Sequence, residues 1–349
     1  MKIALLTYFN TLSYGATLQT YATVRAIETL GHDVVLVNLN IPNPYGRVKG
    51  FLLFPKWIKT WNFRRKYFRN ITKLYHSSEE LRNNPPKADL YMIGSDQTWN
   101  LDISLDKASS FFLDFVKDDS KKVAYAASFG KDKLESTKWI EKEEVIRLLK
   151  KFNHIGIRES SGKKMLASMG IDSIQVVDPV LLFARYDELT GQVKHKEEIA
   201  LFKVDNSPEF YQKVTEVGAL TTIPLCSVGS LRRIKGMKCP YPFSVEGWMR
   251  RLVSAKYVIT DSFHGLVVSL LYHKQFVIIL GDPKRATRLQ SLSALVGLSD
   301  RIMSVNSDAG DILAKLNTPI DYDQVDQVLV QEREKSFEFL KSILQTKSS

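Results

Sequence analysis

Five short stretches of this chain each follow an apolar run and each carry polar, small or charged residues. In chain order they are Phe9-Asn10-Thr11-Leu12-Ser13-Tyr14-Gly15, Gly94-Ser95-Asp96-Gln97-Thr98-Trp99-Asn100, Ser128-Phe129-Gly130, Arg158-Glu159 and Asp261-Ser262-Phe263-His264-Gly265. Two of these residues are suited to chemistry by type. His264 has a reference pKa of about 6.5 and can give or take a proton at neutral pH. Arg158 presents a planar fork of donors that matches a carboxylate or a phosphate. Each has a plainer reading. A lone histidine is more often structural, and Arg158 can be consumed by an ion pair with Glu159 or Asp178. One polar turn after an apolar run carries little weight. Five of them suggest a lined cleft, because open parallel sheets bind ligands beyond the carboxyl ends of their strands.

Periodicity gives the elements that would position these turns. Residues 2–8 form an apolar run, Tyr14-Gly15-Ala16 opens a helical stretch reaching Leu30, and Gly31 supplies its stop. Residues 33–38 are apolar again, which completes a strand–helix–strand unit of the kind that crosses over right-handed into a parallel sheet. Further strands are expected at 90–93, 123–127, 155–157 and 174–177, with helices over 134–151 and 160–169. A second series runs from a strand at 198–204 through a helix at 207–218 and a strand at 223–228. It continues with a helix from the N-cap Ser244 to Ser254, a strand at 257–260, a helix at 265–271 and a strand at 276–280. An amphipathic helix over 322–345 ends the pattern. The expected fold is α/β, with two Rossmann-like doubly wound domains facing a central cleft, and a C-terminal helix. The expected boundaries are 1–185, carrying a basic aromatic insertion at about 41–75, then 186–320, then 321–349 as a helix packing back on the N-terminal domain. No GxGxxG follows the first strand, so a dinucleotide is not implied.

The composition is that of a soluble globular protein, and 349 residues suit two domains. No apolar run approaches the roughly 20 residues that cross a bilayer, and the apolar start is too short for a signal-peptide core. With two cysteines, Cys226 and Cys239, these features point to the reducing cytoplasm. The histidines are scattered and no CxxC, HxH or HExxH occurs, so no metal site is expected. The net charge of +11 is unevenly spread: residues 34–78 hold nine bases and no acid. Phe54, Trp57, Ile58, Trp61, Phe63, Tyr67 and Phe68 lie among those bases. Such a stretch can rest on an anionic membrane, bind nucleic acid, or be a helical insertion with its aromatics inward and its bases solvated.

The set of motifs resembles the polysaccharide pyruvyl transferase family. Carrying the resemblance are Tyr14-Gly15-Ala16-Thr17-Leu18-Gln19, the Gly94–Asn100 loop, Ile157-Arg158-Glu159, Val177-Asp178-Pro179, Glu246-Gly247-Trp248 and Thr260-Asp261-Ser262-Phe263-His264-Gly265. The resemblance implies a GT-B-like pair of Rossmann-like domains. It implies transfer of pyruvate from phosphoenolpyruvate to a sugar of a capsule or exopolysaccharide unit, often as a ketal across two hydroxyls. In related transferases the matching arginine and histidine are essential, which implies catalytic roles for Arg158 and His264. By their own chemistry Ser262 and Gly265 can present a hydroxyl and a backbone N–H to phosphate, Asp96 can accept hydrogen bonds from sugar hydroxyls, and Ser95 and Gln97 are expected to bind substrate beside it. Tyr14, Asn10 and Gln19 can line the acceptor side, and Ser128 is expected to bind substrate. Trp99 can stack on a sugar or pack under its loop, Asp96 can instead cap a turn, and Gln19 can simply pack. Some members carry Arg where Ser262 stands here; Arg288, or Lys284 and Arg285, can replace that cation. The donor is a substrate, so no cofactor and no metal are expected. The partners are then a sugar acceptor, in lipid-linked form where it is made at the inner leaflet, and no nucleic acid. The expected location is cytoplasmic, with peripheral contact at the inner membrane surface. Two rivals stand beside this reading: a glycosyltransferase using a nucleotide sugar, and a non-catalytic subunit of polysaccharide synthesis.

Overall fold

A computed structural model describes residues 1–41, 53–204, 207–229, 234–240, 243–281 and 286–345. Arg47, Lys49, Lys284 and Arg285 lie outside the described residues. The chain divides into two compact units, one of Met1–Gly46, Arg64–Phe183 and Val330–Ser349, the other of Arg47–Phe63 and Ala184–Leu329.

The first unit is built on strands β1 (Lys2–Leu6), β2 (Asp33–Leu36), β3 (Leu90–Ile93), β4 (Lys122–Ala127), β5 (His154–Ile157) and β6 (Ile174–Gln175). They form a parallel sheet in the order β2-β1-β3-β4-β5-β6. Helix α1 (Tyr14–Thr29) starts where Ser13 caps it, its side chain accepting from the Ala16 N–H at 3.3 Å. It stops before Gly31, whose φ of 79° favours a residue without a Cβ. Helix α2 (Phe54–Tyr67) crosses the point where the two units' residues divide. Helices α3 (Lys142–Leu149) and α4 (Ser160–Ser168) follow β4 and β5. The helix expected over 134–151 is thus shorter by its first half. Thr137 and Ser136 explain this: Thr137 Oγ1 accepts from Ile140 N–H at 3.3 Å, and Ser136 Oγ accepts from Lys142 N–H at 2.9 Å. Such local hydroxyl bonds compete with the helix ladder.

The second unit repeats the scheme with β7 (Lys196–Phe202), β8 (Leu225–Ser227), β9 (Met237–Lys238), β10 (Ala255–Thr260), β11 (Gln275–Leu280) and β12 (Ile302–Ser304). Its parallel order is β12-β11-β10-β7-β8-β9. Its longer helices include α5 (Pro208–Ala219), α6 (Val245–Ser254), α7 (Phe263–Leu271), α8 (Thr287–Leu295) and α9 (Ala309–Asn317). Ser244 caps α6 as expected, accepting from Gly247 N–H at 3.1 Å. Each unit has its own apolar core: Ile93, Phe111, Val145 and Ile157 belong to one, and Ile199, Phe210, Ile259 and Ile279 to the other. Helix α10 (Tyr322–Gln345) contributes to both. Its early Tyr322 hydroxyl donates to the Lys274 carbonyl at 2.5 Å in the second unit. In the first unit its Ser336 Oγ accepts from Val177 N–H at 2.9 Å, and Arg333 Nε donates to the Leu181 carbonyl at 2.8 Å. Among the described residues no helix is long and apolar enough to cross a membrane.

Candidate active site

Strand order picks out one position in each sheet. In the first unit the chain leaves β1 for β2 on one side and returns to β3 on the other. The carboxyl ends of β1 and β3 are therefore its topological switch point, where open α/β sheets leave a crevice. In the second unit β7 and β10 stand in the same relation. The residues just past these four strands are Thr7, Gly94-Ser95-Asp96, Lys203 and Asp261-Ser262.

At the first switch point the loops are tied in a chain of buried polar contacts. Gln19 Nε2 donates to Thr7 Oγ1 at 2.9 Å, and Thr7 Oγ1 donates to the Ser95 carbonyl at 3.0 Å. Ser95 Oγ donates to Asp178 Oδ2 at 3.1 Å. Arg158 Nη1 donates to the same oxygen at 2.7 Å, while its Nη2 lies 3.5 Å from Asp96 Oδ1. Glu159 Oε1 accepts from Phe129 N–H at 2.9 Å, which joins the Ser128 loop to the β5 end. The Arg158 side chain is 2% exposed. Burial works against its charge, but Asp178, Asp96 and Glu159 outweigh that and hold the guanidinium above its ordinary pKa. One cation thus faces three carboxylates. The same surplus of negative charge acts on two buried phenols: Tyr8 is raised well above its usual value by burial and then by Asp96, and Tyr125 by burial and then by Asp178. Arg158 Nη1 is thus held by Asp178, an ion-pair partner that its sequence allowed, and Nη2 stands beside Asp96.

Asp96 has φ 79°, a left-handed conformation that non-glycine residues seldom adopt. A backbone bridge to Ala127 and the Arg158 contact hold it there, and its Oδ1 accepts from Gln97 N–H at 2.9 Å. Strain kept in this way at a strand end is a feature of ligand-handling loops. Trp99 packs under its loop, one of the two readings its sequence allowed. It is 1% exposed, donates Nε1–H to the Phe111 carbonyl at 3.0 Å, and packs with Phe112, Phe129 and Phe152 at 5.2–5.8 Å between ring centres. Removing a buried ring of this size typically costs about 3–5 kcal/mol, so Trp99 anchors the loop that presents Asp96. Gln97 Oε1 accepts from Asn100 Nδ2 at 2.8 Å, and Ser128 Oγ accepts from Gly130 N–H at 3.1 Å. Tyr14 is buried in the first turn of α1, and Gln19 is fully buried inside it. Asn10 is exposed, donating to Asn38 Oδ1 at 3.1 Å and accepting from Arg64 Nη1 at 2.6 Å.

At the second switch point His264 stands in the first turn of α7, 6% exposed, its ring edge-on to Phe263 at 5.4 Å. Ser262 is the N-cap of that helix and its Oγ accepts from Gly265 N–H at 3.4 Å. The hydroxyl and the N–H expected to meet a phosphate thus meet each other. Gly265 has a packing reason as well: a Cβ there would lie 2.4 Å from Thr260 Oγ1 and 3.1 Å from Thr260 Cβ. Thr260 Oγ1 cannot easily yield, because it donates to the Phe202 carbonyl at 2.6 Å and accepts from Ser262 N–H at 2.9 Å. Gly265→Ala is expected to cost about 1–3 kcal/mol in urea denaturation by overpacking. An unchanged midpoint would mean that Thr260 turns aside.

Sequence reading passed over Lys203. It follows β7 as the other candidates follow their strands, but the expected strand ran on to Val204 and absorbed it. Lys203 Nζ donates to Asp261 Oδ2, and Asp261 Oδ1 accepts from Val204 N–H at 3.1 Å, so Asp261 ties the two switch-point strands together. The Arg288 guanidinium carbon lies 5.8 Å from the centre of the Phe263 ring, which brings a cation to the first turn of α7. Among the described residues no cluster of His, Cys, Asp and Glu could hold a metal ion. A hollow of about 490 Å³ lined by Lys133, Glu135, Lys142, Ser161 and Lys164 touches none of the candidates.

Comparison with known proteins adds two findings. The family model described as polysaccharide pyruvyl transferase matches residues 14–283. No curated protein matches the chain. Among solved structures, the S. aureus MnaA–UDP complex is similar with TM-score 0.57 at 9% identity, over 100% of this chain and 98% of that one. UDP-GlcNAc 2-epimerase from Neisseria meningitidis bound to UDP-GlcNAc is similar with TM-score 0.54 at 10% identity, over 99% of each chain. UGT89C1 of Arabidopsis thaliana complexed with UDP-L-rhamnose gives 0.53 at 8% identity, over 98% of each chain. At such identities the likeness carries the fold alone, which is that of the GT-B glycosyltransferases and epimerases.

Proposed function

The chain belongs to the polysaccharide pyruvyl transferase family, and from that premise we propose that it transfers pyruvate from phosphoenolpyruvate to a sugar of a capsule or exopolysaccharide unit, closing a ketal. The observation that carries this reading is the family match over residues 14–283, a span that includes both Arg158 and His264. In the net reaction the donor methylene carbon gains a proton and becomes a methyl group. Its central carbon forms bonds to two sugar oxygens and releases phosphate. Of the two hydroxyl protons lost, one balances the methyl group and the other leaves on the phosphate. His264 is assigned the proton transfer, a role supported by its place beside the second switch point. Arg158 is assigned to holding Asp96, and Asp96 to accepting hydrogen bonds from acceptor hydroxyls. The carboxylate-rich surroundings of Arg158 favour that division over direct capture of an anionic donor. The donor's own negative charge is assigned to Arg288 beside the first turn of α7.

The similar UDP-bound structures keep a second reading in view, a nucleotide-sugar transferase. A thermal-shift comparison separates the two, since a ligand that binds only the folded state stabilises it by mass action. Phosphoenolpyruvate at a hundredfold excess over its Kd is expected to add about 2.7 kcal/mol, a rise of several degrees in Tm. UDP-sugars should leave Tm unchanged. A shift with a UDP-sugar and none with phosphoenolpyruvate would transfer the site to the second reading.

A further inference from the structure

Helix α2 has two apolar faces where an ordinary surface helix has one. Leu53, Phe63, Tyr67 and Phe68 are buried, and so is Arg64, which donates to Asn10 and to the Thr11 carbonyl. On the other side Phe54, Trp57, Ile58 and Trp61 are 55, 47, 38 and 40% exposed. Spaced at i, i+3, i+4 and i+7, these four form one continuous stripe. The rings along it run nearly parallel: Phe54 to Trp57 at 6.2 Å and 7°, Trp57 to Trp61 at 6.2 Å and 12°. Arg65 continues the stripe, and Lys59, Lys66 and Arg69 lie exposed along its flank. No acid occurs anywhere in residues 34–78.

We propose that this face of α2 docks peripherally on an anionic lipid bilayer, with Phe54, Trp57, Ile58 and Trp61 at the acyl boundary and the neighbouring bases on the headgroup phosphates. An interfacial helix needs a contiguous apolar stripe bordered by Lys and Arg, and this helix has both. Tryptophan suits that depth because its ring is apolar and its N–H is polar. Charge complementarity selects the partner, since the exposed Lys59, Arg65, Lys66 and Arg69 attract an anionic surface. A nucleic acid would share the attraction and could stack on the rings. Ile58, in the middle of the stripe, has no π face to offer a base but buries readily in acyl chains. The proposal does not depend on which donor the enzyme uses.

The test is sedimentation of the full chain with vesicles. The protein should pellet with phosphatidylglycerol–phosphatidylcholine vesicles, remain in solution with pure phosphatidylcholine, and be released at high salt. Each base contributes about fivefold to partitioning, so R65Q/K66Q/R69Q should lower it on the order of 100-fold. W57A/W61A should lower it by a comparable factor, on the order of 100-fold, through lost apolar burial. All five residues are exposed, and circular dichroism checks that the variants fold. In the unmodified chain, brominated acyl chains should quench tryptophan fluorescence. Three results overturn the proposal: equal recovery in the supernatant with both vesicle types at low salt, wild-type binding by the two variants, or a single-stranded oligonucleotide that displaces the protein from vesicles and needs the same residues.

Discussion

His264→Ala is expected to lower turnover by about 10²–10⁴ while leaving the second unit folded. His264 sits in the first turn of α7, where Ser262 provides the cap through its own side chain, so the helix start does not depend on the imidazole. Alanine favours the helix, and the neighbours Gly265 and Leu266 keep their packing. The loss should therefore fall on kcat, with donor binding in the thermal-shift assay retained. His264→Gln, which keeps a polar side chain but cannot exchange a proton near neutral pH, should be equally slow. Near-normal turnover by either variant, with the fold checked by circular dichroism, would remove His264 from the chemistry.

Arg158→Ala is expected to destabilise the first unit by about 3–5 kcal/mol. The substitution strips the counter-charge from Asp178, which is 1% exposed, and releases Asp96 from its left-handed conformation. An uncompensated buried carboxylate is a larger penalty than the ion pair's net worth, which gives the test its control. Arg158→Ala combined with Asp178→Asn should recover part of the lost stability, because the neutral amide keeps hydrogen bonds to Ser95 and Val180 without the bare charge. Urea denaturation reads both. If the single variant unfolds at the wild-type midpoint, Arg158 does not hold this network and its role as an anion ligand returns.

Much of the architecture was legible before any coordinates. The apolar runs marked every strand but β9 and β12, Ser244 announced α6, and the residues just past β1, β3 and β10 flagged three of the four loops that the sheet order makes special. Those signals are local: a strand, a cap or a turn is written in a few consecutive residues, and a motif set can be matched in order along the chain. Local signals also failed in recognisable ways. The helical pattern over 134–151 could not show that Ser136 and Thr137 would spend their hydroxyls on the backbone. Nor could a strand drawn two residues too long show Lys203 at a strand end.

What tertiary structure alone decided is the state of each polar group. Thr7 and Ser95 are 88 residues apart and Arg158 and Asp178 are 20 apart, yet each pair is in contact because β1 adjoins β3 and the Asp178 turn follows the strand beside β5. Periodicity does not encode strand order, so it could list Arg158 as a fork but not say that Asp178 and Asp96 stand against it. In α2 the sequence supplied aromatics and bases without a phase. Folding buried Phe63 and Arg64 and left Trp57 and Trp61 exposed. Burial pulls the Arg64 guanidinium down to about 10, while Arg65, Lys66 and Arg69 remain at the surface. The sequence determined which residues were available for binding and catalysis. Strand order and helix phase decided which of them are spent on the fold, because an ion pair or a buried face depends on neighbours brought together from distant parts of the chain.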